Sequence, residues 1–488
     1  RVRVRGKEEE HGEGRQRREA SPPMSTPVET PENVELPSET APDDLSLSAS
    51  LRILLRASRA FWLVNLVNFG DGIAYFGILT LLTRFLGTRL QMSDELSGFT
   101  VSMFTGLVTF FMLGGGFVSD RLGVRRALTW SLGTVGVGRL LLTISPTVPG
   151  TSSAHYTAWL GLVLMAAGTG VMQPALYAGV KEYTDERTAT IGYSLLYAIM
   201  NLGIVAENFV SPFVRTNDVF LDRFGLKIVG RGWGIDGVFW MCVYMTGFLL
   251  LVHLLLFTRR VEDDERTAPH LPTEVDRRPW HERLAEMPFL DARFMYFIFI
   301  LLPVRTLFAH QFLTMPDYVF RCFPTEVNAR FEWISALNPL IIVVCVPTIA
   351  AATRRVRVIE MMIYGTLVTA LSTFLLVAGP NLTLLLAYVV LFSLGEALWS
   401  SRFLEYVADL APPGKVGAYM GLANIPWFFA KFTTGLYSGK MLAHFVPEHG
   451  PQSPGTLWLI YACLACVSPV GLILARRWIL QGEHHGHE

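Results

Sequence analysis

Long apolar stretches separated by short polar breaks repeat along almost the whole chain. About 20 apolar residues are needed to cross a bilayer as a helix. On that measure the stretches predict helices over 60–86, 97–119, 127–146, 156–180, 188–212 and 235–258. Six more follow over 291–315, 330–352, 358–378, 382–409, 416–443 and 455–475. The break between the two sets, 259–288, contains RRVEDDERTAPHLPTEVDRRPWHER. These runs are too long and unbroken for the alternating strands of a barrel, and open sheets leave backbone groups unpaired in lipid. The expected fold is therefore an all-α integral membrane protein with 12 transmembrane helices in two six-helix bundles. Its expected parts are a disordered cytoplasmic tail (1–55), an N-terminal bundle (56–258), a cytoplasmic linker (259–288), a C-terminal bundle (289–478) and a short tail (479–488).

Composition agrees with that pattern. Only 17% of the 488 residues are charged, against about 25% in soluble domains. The 41 basic and 41 acidic residues cancel, which argues against a nucleic-acid partner. Five cysteines are too few for a disulfide scaffold. The placement of arginine says more than the total. Arg52, Arg56 and Arg59 precede the first helix, Arg121, Arg125 and Arg126 follow the second, Arg354, Arg355 and Arg357 follow the eighth, and Arg476 and Arg477 follow the last. Positive loops stay inside, so both termini are expected in the cytoplasm. One loop dissents: Arg215, Arg223, Lys227 and Arg231 follow the fifth helix, where a small external subdomain is expected.

No enzyme, cofactor or metal site is expected. Gly232–Gly237 fits a dinucleotide-binding glycine spacing but follows no strand. Cys463 and Cys466 lie within an apolar helix and read as packing residues.

The segment GFVSDRLGVRR, Gly116 to Arg126, resembles the loop motif G-x-x-x-D-R-x-G-x-R-R of the major facilitator superfamily. Its Gly116 is expected to let neighbouring helices approach closely. Asp120, Arg121, Gly123, Arg125 and Arg126 complete a motif that, in that family, latches the cytoplasmic side in the outward-open state. Within the superfamily the chain resembles the proton-dependent oligopeptide transporters. DGIAYFGILTLL is similar to their ERFxYYG region, and GTGVMQPALYAG with YSLLYAIMNLG to GTGGIKPxxxAFG and FSxFYxxINxG. NPLIIVVCVP is similar to NPxxIxxxxP, and SLGEALWSSRFLEYVADLAPPGKVGAYMG to GELxxSPxGLxxxxxLAPxxxxGxxMG. The resemblance implies alternating access between two bundles and proton-coupled symport of peptide-like solutes. The departures fall on functional positions. Asn68, Asp71 and Gly72 replace the E-x-x-E-R motif, Gln173 replaces the signature lysine, and His310 beside Gln311 replaces an acid beside a glutamine. Ala423 stands at a usual tryptophan position, with Trp427 a turn later, while Asn338 and Glu396 are kept. In the family the helix 1 and helix 4 groups handle the proton and the solute's carboxylate, and the counterpart of Glu396 receives its amino terminus. The usual grip on a free carboxylate is thus altered here.

Ionisable groups at bilayer depth cost at least about 2.5–3.5 kcal/mol on insertion scales, so they are expected to line a cavity or to pair. Asn68, Asp71 and Tyr75 share one helical face, which suggests a wet cavity. Asp71, His310 and Glu396 are the proton-coupling candidates; an unperturbed imidazole titrates near about 6.5. Asn68, Tyr75, Gln173, Tyr177, Arg305, Gln311, Asn338, Trp427 and Lys431 are the substrate-contact candidates. Arg305 is expected to pair with Asp71 or Glu396 or to meet an anionic solute. Lys431 is expected to neutralise Glu396 or to meet a solute. Arg139 and Glu207 read as structural pairing residues. The expected activity is proton-coupled symport of a small peptide-like or other polar solute, by a monomer in a bacterial inner membrane. The alternatives are an uncoupled facilitator or exporter of another solute, and a non-transporting sensor or lipid-handling protein on the same fold.

Overall fold

The structure, a computed structural model, describes residues 58–184, 186–217, 219–220, 228–265, 291–353, 356–410, 423 and 425–480. The expected N-terminal tail, the linker beyond Glu265 and the last eight residues lie outside them. The helices are α1 (Arg59–Arg89), α2 (Asp94–Leu122), α3 (Val124–Ile144), α4 (Thr151–Glu182), α5 (Glu186–Arg215) and α6 (Gly234–Leu256). A six-residue helix, Arg259–Asp264, opens the linker. α7 consists of three consecutive segments, Ala292–Ile300, Leu302–Leu313 and Met315–Cys322. α8 (Phe331–Ala352), α9 (Val358–Ser372), α10 (Leu382–Leu410), α11 (Ile425–Phe445) and α12 (Pro454–Leu480) complete the set.

Local sequence explains the boundaries. Ser58 and Ser93 cap α1 and α2 by accepting from the Phe61 and Leu96 amides. Gly123 has φ +75° and turns the chain between α2 and α3, a conformation glycine adopts freely. Pro303 and Pro316 sit in the first turns of the second and third segments of α7, where a missing N–H is tolerated.

Ten of the described helices are long and apolar enough to cross a membrane. α8, whose apolar run is the shorter Phe331–Val346, and α11, which carries Lys431 and Lys440, stand where the eighth and eleventh crossings are expected. Apolar side chains face outward along the helices, as at Tyr244, Leu255 and Leu474, which suits lipid as solvent. The dissenting loop after α5 contains a two-stranded antiparallel ribbon, Val219–Phe220 against Ile228–Val229.

α1 packs on α5 and α6, and α4 on α2 and α3; in the second half α10 packs on α8 and α9, and α12 on α7 and α9. The halves meet where α2 packs on α11 and α5 on α8. Contact at the first seam is close: a Cβ added at Gly439 would lie 2.3 Å from the Asp94 carbonyl oxygen. The helix ends near residues 58, 123, 183, 258 and 480 form one face, the tail face. The connections near 90, 148, 216, 324, 380 and 449 form the opposite, distal face.

The expected role of Gly116 needs correction. Among the described residues nothing lies within 4 Å of a Cβ built there. The close approach falls one residue earlier, where a Cβ on Gly115 would lie 2.1 Å from the Gly170 carbonyl oxygen of α4. A shift of one residue rotates a helical position by about 100°, which the motif alone does not resolve. Arg125 of the motif pairs with Glu262 of the linker helix at 2.9 Å, while Arg121 and Arg126 are exposed on the tail face. The Asp120 side chain lies outside the described residues.

Candidate binding cavity

A cavity of about 290 Å³ lies between the two halves. Tyr75, Tyr197 and Asn201 line it from the N-terminal half, and Gln311, Asn338, Glu396, Trp427 and Lys431 from the C-terminal half. Asn338 of α8 donates to Glu396 Oε2 at 2.8 Å and to Ser393 Oγ at 3.0 Å. Gln311 donates to the Tyr388 hydroxyl at 2.7 Å. Lys431 of α11 makes no ion pair among the described residues. Its backbone oxygen accepts from Ser102 of α2 at 2.6 Å, which ties this part of the cavity wall to the other half. One carboxylate with a neutral donor and one cation without a counter-ion therefore share a partly apolar chamber. Such a chamber suits a small solute bearing opposite charges.

Other candidates are turned elsewhere. Asp71 lines none of this cavity: Arg139 Nη2 of α3 lies 2.6 Å from its Oδ1, and both side chains are buried. Arg139 also donates to the Thr246 hydroxyl of α6. Asn68 donates to the Leu196 carbonyl of α5 at 2.6 Å. Hence the polar stripe of α1 is satisfied inside its own bundle at two of three positions, and only Tyr75 reaches the cavity. The expectation of a wet stripe fails because α1 is wrapped by α5 and α6.

Arg305 is fully buried and has no acid partner among the described residues, and it pairs with neither Asp71 nor Glu396. Its guanidinium lies 4.3 Å from the Phe403 ring centroid and 4.9 Å from that of Trp427, and donates to the Ala423 carbonyl at 3.3 Å. The aromatic faces stabilise the cation. His310 is buried too: its ring nitrogens meet Thr314 Oγ1 at 2.8 Å and the Tyr437 hydroxyl at 3.1 Å, and it stacks on Tyr461 at 3.7 Å. Gln173 and Tyr177 of α4 also line none of the cavity.

An arrangement at the distal face had not been anticipated. Arg84 of α1 pairs with Asp317 of α7 at 3.0 Å, and Arg321 of α7 pairs with Asp94 of α2 at 2.6 Å. Glu448 lies 3.5 Å from Arg84 and 3.7 Å from Arg321. Arg215 of α5 grips Glu332 of α8 with Nε at 2.6 Å and Nη2 at 2.8 Å. Trp333 stacks on Phe209 of α5 beside that grip, at 5.9 Å. All described ion pairs that cross between the halves lie at this face. The signal in the sequence was the set of opposite charges at expected distal helix ends. Arg215, which had counted against the orientation, is one partner of a buried pair.

The chain also matches a known sequence family. The sequence model of the Major Facilitator Superfamily matches residues 61–321. The chain belongs to the major facilitator superfamily. It is an integral membrane protein of a transporter family and not an enzyme. Dipeptide and tripeptide permease A of Yersinia pestis is 22% identical over 450 residues, covering 82% of this chain and 86% of that protein. A peptide transporter POT crystallised with sulfate shares the fold at TM-score 0.66 and 16% identity, over 89% of this chain and 99% of that one. A nucleoside transporter shares it equally, at TM-score 0.66 and 13% identity, over 85% and 99%.

Proposed function

We propose that the protein is a secondary active transporter that works by alternating access and couples inward proton flow to symport of a small peptide-like or other polar organic solute. One observation carries this reading. The chamber between the halves holds Glu396 with Asn338 and Lys431, which has no ion pair among the described residues, and ion pairs join the halves at its distal face. Breaking the distal pairs, with the tail face closed, would expose the chamber to the distal side. The tail face is the cytoplasmic one, since Arg121 and Arg126 lie there, and a bacterial inner membrane suits the bacterial relative. The fold needs one chain only.

Of the three coupling candidates, Glu396 alone lines the chamber, so it is assigned the proton. An ammonium group on the solute and a proton both favour positions at its carboxylate, and Asn338 holds that carboxylate toward the cavity. Lys431 receives an anionic group of the solute. That assignment moves the carboxylate grip from the N-terminal half, where Gln173 and Gly72 offer no charge, to α11. The convergence of polar groups favours a water-soluble solute over a lipid.

The test has two stages. A thermal-stabilisation screen of peptides, amino acids, nucleosides and organic anions identifies ligands, because binding stabilises the folded state by mass action. Uptake of a hit into proteoliposomes with and without an inward-acid gradient then tests coupling. Accumulation only with the gradient is expected. Equal uptake in both would identify an uncoupled facilitator instead.

A further inference from the structure

Glu207 of α5 has no part in the chamber and no partner in its own bundle. It is 1% exposed, and neither carboxylate oxygen makes a hydrogen bond among the described residues. From α1 it faces Gly77, where an added Cβ would lie 3.1 Å from Oε1, and from α6 it faces Cys242. The Asp71–Arg139 pair also lies near Cys242, and its two charges neutralise each other. On α5, Glu207, Ser211 and Arg215 recur at four-residue spacing and so share one face. Ser211 lies close enough to act on Glu207, yet its hydroxyl makes no well-directed bond to that carboxylate; it points to Glu332 Oε1 at 3.5 Å. Glu332, fully buried, comes from α8 across the seam and is held by both guanidinium bonds of Arg215.

From this geometry we infer that Glu207 is a proton-binding site that controls the distal seal between α5 and α8. With the seal shut, Arg215 and Glu332 neutralise one another. An ionised Glu207 would then be a second buried anion near Glu332, with no cation left for it among the described residues. Burying a carboxylate without a partner is strongly unfavourable, so the shut state holds Glu207 as the protonated acid. When α8 separates from α5, Arg215 is freed on the face of α5 that carries Glu207, and water reaches Ser211. The proton then leaves Glu207 for water at the distal face, and it returns from there before the seal closes. By linkage, protonation favours closing to the same degree that closing favours protonation. Rising pH therefore opens the distal face, and falling pH shuts it. The consequence for transport rests on the alternating-access reading: an acid exterior would drive the chamber toward the cytoplasmic side.

The experiment reads the seal without transport. Spin labels go on Thr88, at the distal end of α1, and Thr325, before α8. Cys322, Cys345, Cys463 and Cys466 are replaced, and the buried Cys242 is kept. In the wild-type background the long-distance population is expected to rise with pH. In Glu207→Gln, which mimics the protonated acid, it is expected to stay at least about tenfold lower at high pH. A pH response in E207Q equal to that of wild type would overturn the inference. A second readout needs no change at position 207. The infrared stretch of a protonated carboxyl should persist at neutral pH in Glu396→Gln, where Glu396 no longer contributes. Its absence there would overturn the inference even if E207Q failed to fold. Neither readout involves solute or gradient, so a failure of proton-coupled uptake leaves both results interpretable.

Discussion

Arg139 Nη2 lies 2.6 Å from Asp71 Oδ1, with both side chains buried inside the N-terminal bundle. On the proposed mechanism Asp71 is a structural acid. Removing one member leaves the other as an uncompensated buried charge, which costs about 3–5 kcal/mol. Asp71→Asn and Arg139→Gln are each expected to lower the thermal-unfolding midpoint in detergent markedly. The double variant is expected to recover part of the loss. Asp71→Asn protein that does fold should keep its solute-to-proton stoichiometry; a changed stoichiometry would return Asp71 to the coupling machinery.

His310 is held by Thr314, Tyr437 and the face of Tyr461. Two hydrogen bonds are lost in His310→Leu, at about 1 kcal/mol each. A lower unfolding midpoint is expected, with the pH profile of uptake unchanged in shape. A shifted profile would show that the imidazole titrates during the cycle.

Lys431 lines the chamber and makes no ion pair among the described residues. Lys431→Met is expected to weaken binding of a carboxylate-bearing solute by about tenfold or more, roughly 1.4 kcal/mol. The corresponding amide should be affected far less. Equal loss for both, measured by ligand-dependent stabilisation, would remove Lys431 as the anion site.

Arg215 holds Glu332 across the seam at 2.6 and 2.8 Å. Arg215→Gln leaves Glu332 buried without its cation and so raises the free energy of the sealed state most. The equilibrium should move toward a distal-open form. A cysteine placed by Ser335→Cys, in the cavity wall, should then react faster with an impermeant thiol reagent applied from the distal side. An unchanged rate would mean that the Arg84–Asp317 and Arg321–Asp94 pairs hold the seal alone.

The spans were legible because lipid demands long apolar helices with their backbone groups satisfied internally. The observed α1, Arg59–Arg89, and α4, Thr151–Glu182, contain the expected 60–86 and 156–180. The kept pair Asn338 and Glu396 was legible as well, and it is bonded in the cavity wall. What periodicity does not carry is the rotation of each helix against its neighbours. Asp71 and Tyr75, four positions apart, divide between a bundle interior and a cavity, and the close approach falls on Gly115 instead of Gly116. The distal seal was missed because each of its charges, read alone, sits at a helix end where an arginine or aspartate is ordinary. Only the packing of α5 on α8 and of α7 on α1 brings Arg215 to Glu332 and Arg84 to Asp317.

On the proposed mechanism a proton enters with the solute through a chamber in which Glu396 carries it. Proteoliposomes loaded with a pH-sensitive dye, given an inward-acid gradient and then a ligand identified by stabilisation, measure it directly. Solute-dependent acidification of the lumen is predicted for the wild type and its loss in Glu396→Gln, with solute exchange at equal concentrations retained. Solute entry without acidification, or unchanged acidification in Glu396→Gln, would contradict the account.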